Sequence, residues 1–136
     1  MASAVALETL KIYEEREILS HVRQVAPRMQ NGLRRFAAHP LVDEVRGIGL
    51  IGAVELMADK STKTPFDRTA GVGRFLADRG HHHGIIIRAM GDSIAFCPPL
   101  IITGDQIDLM LDRFALALED TLVMVQQKKA RTSAGY

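Results

Sequence analysis

Arg88 is the side chain of this sequence best suited to bind a ligand. It ends the apolar run Ile85-Ile86-Ile87 and precedes a predicted turn, so its guanidinium is expected to project from the edge of a sheet. A guanidinium recognises a planar carboxylate through two parallel hydrogen bonds. An exposed arginine at the end of a strand is also an ordinary surface residue, so the pattern leaves both interpretations open.

Covalent and metal chemistry find little support in the sequence. No lysine has the buried, apolar setting that activates an amine for Schiff-base chemistry. His81 to His83 are consecutive and would point in different directions from a helix, whereas helical metal ligands lie three or four residues apart, so we expect a solvated helix end. Cys97 lies in an apolar strand without an adjacent base, and we expect an inert core thiol. The lysines are Lys11, Lys60, Lys63, Lys128 and Lys129.

Two further features have structural and functional interpretations. Glu55 is a carboxylate within an apolar run, and we expect either an edge strand or a salt bridge to one of the twelve arginines. Gly71-Val72-Gly73 lacks the third glycine and the preceding strand of a dinucleotide-binding loop, so packing at the start of a helix is the favoured interpretation.

Helices are expected at both ends of the chain. Residues 3 to 38 predict two helical pieces, the first ending near Glu17 and the second carrying an apolar stripe with a kink at Pro27. His39-Pro40 ends this segment. A last helix opens at Thr103, where Gln106 three residues later completes a capping box.

Two hairpins and one helix are expected between these ends. The first hairpin pairs Val42–Arg46 with Leu50–Met57 around two glycines, and a polar loop over 59 to 67 follows it. A helix over Arg68–His83 ends at Gly84. The second hairpin pairs Ile85–Arg88 with Ser93–Cys97 around a turn at residues 90 to 92. This order predicts an α+β fold, with a small and mostly antiparallel sheet covered by helices.

Composition limits the classes of function. The 136 residues fit a single domain over 1–136, with leading helices at 1–38, an α+β core at 39–131 and a frayed tail at 132–136. A net charge of +1 gives no strong field for nucleic acid or an anionic membrane, and aromatic residues are only 5%. One cysteine and no visible secretory signal suggest a reducing, cytoplasmic location.

Two strings of residues resemble one known family. The first is Arg46-Gly47-Ile48-Gly49-Leu50 followed by Glu55, and the second runs from Ile87 through Arg88-Ala89-Met90-Gly91-Asp92-Ser93-Ile94 to Pro98-Pro99-Leu100-Ile101-Ile102-Thr103. They are similar to the C-terminal, small domain of class III aminotransferases, the ω-amino acid:pyruvate transaminases above all. The segments 6–17 and 25–30 are similar to the helices that lead into that domain, so the resemblance covers nearly the whole chain.

The resemblance implies an enzyme of fold type I that uses pyridoxal 5′-phosphate, acts as a homodimer or tetramer and moves an amino group from an amine or amino acid to a keto acid such as pyruvate. It implies that Arg88 is the mobile arginine that binds a substrate carboxylate and swings aside for an apolar group, with Gly91-Asp92 shaping its turn. No catalytic, cofactor-binding or metal residue is implied in this chain, because nothing in it corresponds to the large domain and its cofactor lysine. We therefore expect the isolated chain to be inactive and to expose an apolar patch.

An alternative is left open by the residues themselves. The chain could be a stand-alone, non-enzymatic α+β module that binds a small carboxylate or mediates oligomerisation. Fold class alone does not separate this alternative from the transaminase interpretation.

Overall fold

A computed structural model describes the backbone of residues 2–133 and the side chains of residues 3–131. Within these residues the helices are α1 (Ala2–Glu15), α2 (Ile18–Arg35), α3 (Val72–His82) and α4 (Gly104–Ser133). The strands are β1 (Val42–Ile48), β2 (Ile51–Leu56), β3 (Arg88–Met90) and β4 (Ser93–Phe96). Single 3-10 turns at Phe36–Ala38 and Arg68–Ala70 precede β1 and α3. The predicted α+β class is confirmed.

The strands form one antiparallel sheet in the order β1-β2-β4-β3. Each outer strand pairs with the other strand of its own hairpin, and the inner strands β2 and β4 join the two hairpins. Glu55 therefore lies on an inner strand, and the edge-strand interpretation of this carboxylate is wrong.

Helices α2, α3 and α4 pack on one face of this sheet. The inner strands direct alternate residues toward them, as half-buried antiparallel strands do. The ring of Phe96 on β4 meets the ring of Phe114 on α4 edge to face, with centroids 4.9 Å apart. The deeply buried side chains include Met29, Leu33, Val54, Leu56, Leu76, Ile94, Phe96, Ile107 and Phe114, none more than 2% exposed.

The two leading helices differ in their packing. Every described side chain of α1 is exposed, whereas α2 buries Ala26, Met29 and Leu33 in the core. The break between the helices lies at Arg16 and Glu17, where Glu17 adopts a left-handed conformation with φ of 49°. Pro27 remains inside the continuous helix α2. The segment ends at His39, which is extended before Pro40 as predicted.

β3 begins later than the sequence predicts. The predicted strand covered Ile85–Arg88, but strand pairing starts at Arg88 and continues to Met90. Ile85 and Ile87 are instead buried against α3, where Gly80 makes room: a β-carbon there would lie 3.2 Å from Ile87. The strand prediction for residues 85–87 is wrong, because these isoleucines pack against a helix instead of pairing in the sheet.

The start of α3 also differs from the prediction. The expected helix from Arg68 is divided into a 3-10 turn and α3 by Gly71, whose φ of +62° cannot continue a right-handed helix. The end of α3 agrees with the sequence, because Gly84 has a φ of +82° just beyond it.

The ends of α4 are described to different extents. Its start carries the predicted capping box, since the amide of Thr103 donates to Gln106 Oε1 at 3.0 Å and the amide of Gln106 donates to Thr103 Oγ1 at 3.2 Å. The frayed tail predicted at 132–136 lies outside the described side chains, and the backbone of α4 is described as far as Ser133. None of the described helices combines the length and the apolar composition needed to cross a membrane.

Candidate functional site

We call the sheet face opposite the helices the open face. Strand alternation and pairing place one row across it, in which Arg46 on β1 faces Ala53 on β2, Ala53 faces Ala95 on β4, and Ala95 faces Arg88 on β3. The same alternation brings further side chains to this face. They are Glu44, Ile48, Ile51, Glu55, Ser93 and Met90.

Arg88 is the first residue of the edge strand β3, not the last residue of a longer strand. Ile87 is 8% exposed and Ala89 packs against the core, so both neighbours face the helices. Strand alternation therefore directs Arg88 to the open face, where its side chain is exposed. Within the described residues, its guanidinium has no hydrogen bond or ion pair. The group is available to a ligand.

The turn that follows Arg88 is attached to α3. Asp92 Oδ1 accepts a hydrogen bond from the amide of Gly73 in the first turn of α3, at 2.9 Å. The backbones also meet, since a β-carbon at Gly73 would lie 2.0 Å from the carbonyl oxygen of Gly91. Gly73 therefore serves close packing at a helix start, and Asp92 positions the hairpin that carries Arg88.

Arg88 lines a depression of about 1260 Å³ beside the edge of the sheet. Arg68, Arg74 and His81 line it too, and the two arginines are exposed and unpaired within the described residues. The carboxylates on its wall are already engaged, Asp92 by the amide of Gly73 and Glu55 by an arginine. The depression therefore offers guanidinium groups to an anion.

Glu55 belongs to a polar cluster on the open face. Glu55 Oε2 accepts a hydrogen bond from the Arg46 guanidinium at 3.1 Å, which confirms the salt-bridge interpretation of this carboxylate. The same guanidinium also donates to Ser93 Oγ at 3.3 Å and lies 3.7 Å from Glu44. Arg46 thus reaches across the sheet from β1 to β4.

The lysines do not fit the site of an aldehyde cofactor such as pyridoxal 5′-phosphate, because an imine-forming amine must face the cofactor cavity. None of the five lines the depression that holds Arg88. Lys60 donates to the backbone carbonyls of Ala37 and His39, and Lys63 pairs with Asp43 at 2.6 Å. A lysine that binds such a cofactor would have to come from outside this chain.

The three consecutive histidines at the end of α3 and the cysteine after β4 lie in different surroundings. His81 and His82 are exposed, as predicted for a solvated helix end. His83 is half-buried and its Nε2 lies 2.8 Å from Asp120 Oδ2 on α4, so the prediction is wrong for this residue. No group of three or more potential metal ligands occurs among the described residues. Cys97 is exposed just beyond β4, so the prediction of a core thiol is wrong.

Arg68 and Arg74 were not identified as site residues from the sequence. Arg74 carried a usable signal, since Arg74, Ala77 and His81 follow three- and four-residue spacing and line one side of the depression. Arg68 lies on a 3-10 turn, and nothing in the sequence indicates that it meets Arg88.

Comparisons with known proteins identify one family. The family model for class III aminotransferases matches residues 1–118. The chain is 40% identical over 131 residues to a probable gamma-aminobutyrate transaminase 3, mitochondrial, from Oryza sativa subsp. indica, covering 96% of this chain and 26% of that protein. It is 38% identical over 131 residues to gamma aminobutyrate transaminase 3, chloroplastic, from Solanum lycopersicum, covering 96% and 25%.

Solved structures show the same fold. The omega transaminase from Pseudomonas jessenii in complex with PMP matches with a TM-score of 0.86 and 48% identity, over 92% of this chain and 28% of that one. The PMP-bound aminotransferase from Vibrio fluvialis matches with a TM-score of 0.86 and 36% identity, over 90% and 27%. The chain spans about a quarter of the length of the curated relatives that it matches.

Proposed function

Because the chain belongs to the class III aminotransferase family, we propose that it is the substrate-recognition domain of a transaminase that uses pyridoxal 5′-phosphate. In this proposal it forms the small, C-terminal domain, and the enzyme moves an amino group from an amine or amino acid to a keto acid such as pyruvate. The names of the relatives support this reaction class, since they are gamma-aminobutyrate and omega transaminases.

The main support for the proposal is the exposed guanidinium of Arg88. Its guanidinium is exposed and unpaired within the described residues, and it borders a depression that contains two more unpaired arginines. A planar guanidinium binds a carboxylate with two parallel hydrogen bonds, which fixes the orientation of the bound group as well as its position. Arg88 therefore binds the carboxylate of an amino acid or keto acid.

The surrounding residues hold Arg88 in place. Ile87 anchors the strand against α3, and Asp92 ties the following turn to the amide of Gly73. The cofactor supplies the amino-transfer chemistry, and the residues that hold it lie in the large domain of the complete enzyme. This chain contributes substrate recognition.

We also propose an oligomeric state and a cellular location for the complete enzyme. Family resemblance favours a homodimer or tetramer, in which the open face meets the large domain. We propose a cytoplasmic location on the basis of the single cysteine. It stays a prediction, because the relatives include proteins named as mitochondrial and chloroplastic.

The proposal is tested by Arg88→Lys in the complete enzyme that contains this chain. Lysine keeps the charge but loses the two parallel hydrogen bonds. We expect kcat/KM for a carboxylate-bearing amine donor such as β-alanine to fall by about tenfold or more, the loss typical of a hydrogen bond to a charged group. An amine without a carboxylate, such as 1-phenylethylamine, should be used almost as before.

Two controls accompany this variant. Arg23→Lys changes an exposed arginine of α2 and should leave kcat/KM for both donors unchanged. The isolated 136-residue chain with added cofactor should not convert an amine and pyruvate. Equal losses for both donors in Arg88→Lys would make Arg88 structural, and turnover by the isolated chain would contradict its assignment as a recognition domain.

A further inference from the structure

The short segment between α2 and β1 folds around the side chain of His39, which is only 10% exposed. The ring nitrogen Nδ1 accepts a hydrogen bond from the backbone amide of Leu41 at 3.2 Å. The carbonyl oxygen of His39 accepts another from the amide of Val42 at 3.1 Å. The ring and the backbone of His39 therefore both shape the turn from which β1 begins.

The hydrogen bond from Leu41 determines the protonation state that this turn requires. A neutral imidazole has one nitrogen that donates and one that accepts. Because Nδ1 accepts, the hydrogen of the neutral ring lies on Nε2. This nitrogen is buried without a hydrogen-bond partner among the described residues, and Glu119 Oε1 on α4 lies 3.5 Å from it. The turn is thus built around an uncharged ring.

The same turn supports one wall of the depression that contains Arg88. The carbonyl oxygen of Leu41 accepts a hydrogen bond from the amide of Met57 at 2.9 Å, just beyond the end of β2. Met57 lines the depression. Two hydrogen bonds through Leu41 therefore connect the His39 ring to this wall.

The loop after β2 is attached to the same segment. Lys60 of this loop donates from Nζ to the carbonyl oxygens of Ala37 at 2.9 Å and His39 at 3.2 Å. The loop then leads to Pro65 and Phe66, which also line the depression. The position of the turn at His39 therefore affects this second part of the wall as well.

A protonated His39 does not fit this arrangement. A proton that adds to Nδ1 makes this nitrogen a donor, so that it faces the N–H of Leu41 and can no longer accept from it. The charged ring would also be buried near the Lys60 ammonium group. Glu119 attracts the charge, but its side chain is 65% exposed, so water screens the attraction. Burial of the ring lowers the pKa of His39 below its usual value, although Glu119 partly opposes this shift.

We propose that His39 is an acid-sensitive switch for the wall of the depression: the neutral ring holds the turn closed, and the protonated ring releases it. The charged groups that face the ring are Glu119 from α4 and Lys60 from the loop after β2. The proposal goes beyond the proposed function, because it applies whichever ligand the depression binds.

The direction of the pH dependence follows from linkage. A histidine whose pKa is lower in the folded state contributes its full stability above its unfolded pKa of about 6.5. This contribution is lost as the pH falls from that value toward the folded-state pKa of His39, because the open turn binds the proton more readily. Acid therefore opens the turn.

The test measures backbone amide hydrogen exchange in the 136-residue chain by NMR, at about pH 7.5 and about pH 5.5, on either side of the ordinary pKa of histidine. Division of the intrinsic rate at each pH by the observed rate gives a protection factor for each amide. The protection factors of Leu41 and Met57 should fall about fivefold at the lower pH, the change typical of one lost hydrogen bond. The amide of Ile107, which donates to the carbonyl of Thr103, should keep its protection factor.

Two variants identify the group that titrates. His39→Asn removes the titration but keeps an acceptor for the Leu41 amide, because an asparagine side-chain oxygen binds the amide two residues ahead in an Asx turn. In this variant the protection factors of Leu41 and Met57 should be the same at both pH values. His82→Asn changes an exposed histidine at the end of α3 and should leave the fall unchanged.

Glu119→Gln tests the electrostatic part of the proposal. The Glu119 carboxylate favours the charged ring, so its loss should make protonation of the closed turn more unfavourable and enlarge the fall in protection at the lower pH. A smaller fall in this variant would overturn the proposal.

Titration of the His39 ring in the wild-type chain gives a readout that does not require any variant to fold. The Cε1–H signal, assigned through its bonds to the His39 backbone, should titrate below about pH 6.5. A ring that titrates at or above this value would overturn the proposal. Unchanged protection of Leu41 in acid, or a pH dependence that persists in His39→Asn, would do the same. The proposed function fails by a different result, namely an Arg88→Lys enzyme that uses β-alanine as well as before.

Discussion

Gly73 shows how a single missing side chain holds the candidate site together. It lies in the first turn of α3 and touches the turn between β3 and β4, where Gly91 and Asp92 follow the strand of Arg88. Any side chain at this position would push the hairpin away from α3. The glycine that resembles part of a phosphate-binding loop in the sequence is therefore a contact between two backbones.

Gly73→Ala should destabilise the chain strongly. The added β-carbon would lie 2.0 Å from the carbonyl oxygen of Gly91, and a backbone atom cannot rotate away as a flexible side chain can. We expect the free energy of unfolding to fall by about 3 kcal/mol, the upper part of the range for overpacking. Urea denaturation monitored by circular dichroism measures this change.

Gly71→Ala is the matched control for this prediction, because Gly71 lies two residues before Gly73. A β-carbon at Gly71 meets nothing within 4 Å, but its φ of +62° is unfavourable for alanine. The cost should be about 1–2 kcal/mol, that of one left-handed residue. A Gly73→Ala variant as stable as Gly71→Ala would show that the hairpin can move without loss.

At the scale of elements, α3 and α4 are joined by a polar contact at the end of α3. Asp120 on α4 accepts hydrogen bonds from Arg79 at 2.7 Å and from His83 at 2.8 Å. The hydrogen bonds from His83 and Arg79 hold the pKa of the Asp120 carboxyl below its usual value. Because α3 also packs against Ile87, this contact helps to fix the helix that supports Arg88.

The lowered pKa of Asp120 predicts a loss of stability in acid. A carboxyl whose pKa is lower in the folded state contributes stability above its unfolded pKa of about 3.9, and the contribution disappears as the pH falls through the folded-state pKa. Asp120→Asn should therefore lower the free energy of unfolding by about 0.5–1 kcal/mol at neutral pH, as for a partly exposed ion pair. The difference from wild type should shrink below about pH 4.

Urea denaturation from pH 7 down to pH 3 measures this effect. Asp112→Asn is the control, because Asp112 is an exposed carboxylate on the same helix with no hydrogen bond among the described residues. A plot of its free energy of unfolding against pH should run parallel to that of wild type. If Asp120→Asn also runs parallel to wild type at all pH values, the contact does not contribute to stability.

At the scale of the whole molecule, large apolar side chains are exposed on several elements, among them the open face and α1. On the open face, Ile48 is 81% exposed, and just before β3 Ile86 is 90% exposed. On α1, Val5, Leu7 and Leu10 are between 58% and 63% exposed. Monomeric proteins rarely expose contiguous apolar patches of more than a few hundred Å², so these surfaces predict association with another surface.

The isolated chain should bind a hydrophobic dye and self-associate as its concentration rises. Replacing Ile48 and Ile86 with threonine keeps β-branched residues at both positions while reducing the exposed apolar area. We expect this double variant to lower both dye fluorescence and the mass measured by light scattering. Leu116→Gln on α4, whose helix packs on the other face of the sheet, is the control and should have a smaller effect. A monodisperse wild-type monomer that does not bind dye would contradict this prediction.

The local features were predictable because neighbours in the sequence decide them. The capping box at Thr103 and Gln106 and the helix end at Gly84 involve residues at most a few positions apart. The first hairpin and β4 follow from β-rich runs next to short turns, and the α+β class follows from the alternation of hairpins with helices. The role proposed for Arg88 came from a family resemblance, since its residue type and spacing alone also fit an ordinary surface arginine.

Contacts between distant segments determined the remaining features, namely which side chains are buried and which strands are neighbours. The sequence does not reveal that Ile85 and Ile87 pack against α3, that Cys97 is exposed, or that Glu55 lies on an inner strand, because each depends on which element lies alongside. The pairing of β2 with β4 joins two hairpins more than 30 residues apart, and it alone places Arg46, Glu55 and Arg88 on one face. Strand pairing is a long-range interaction whose partner and register are selected by burial of the whole core, so only the tertiary structure determined the candidate site.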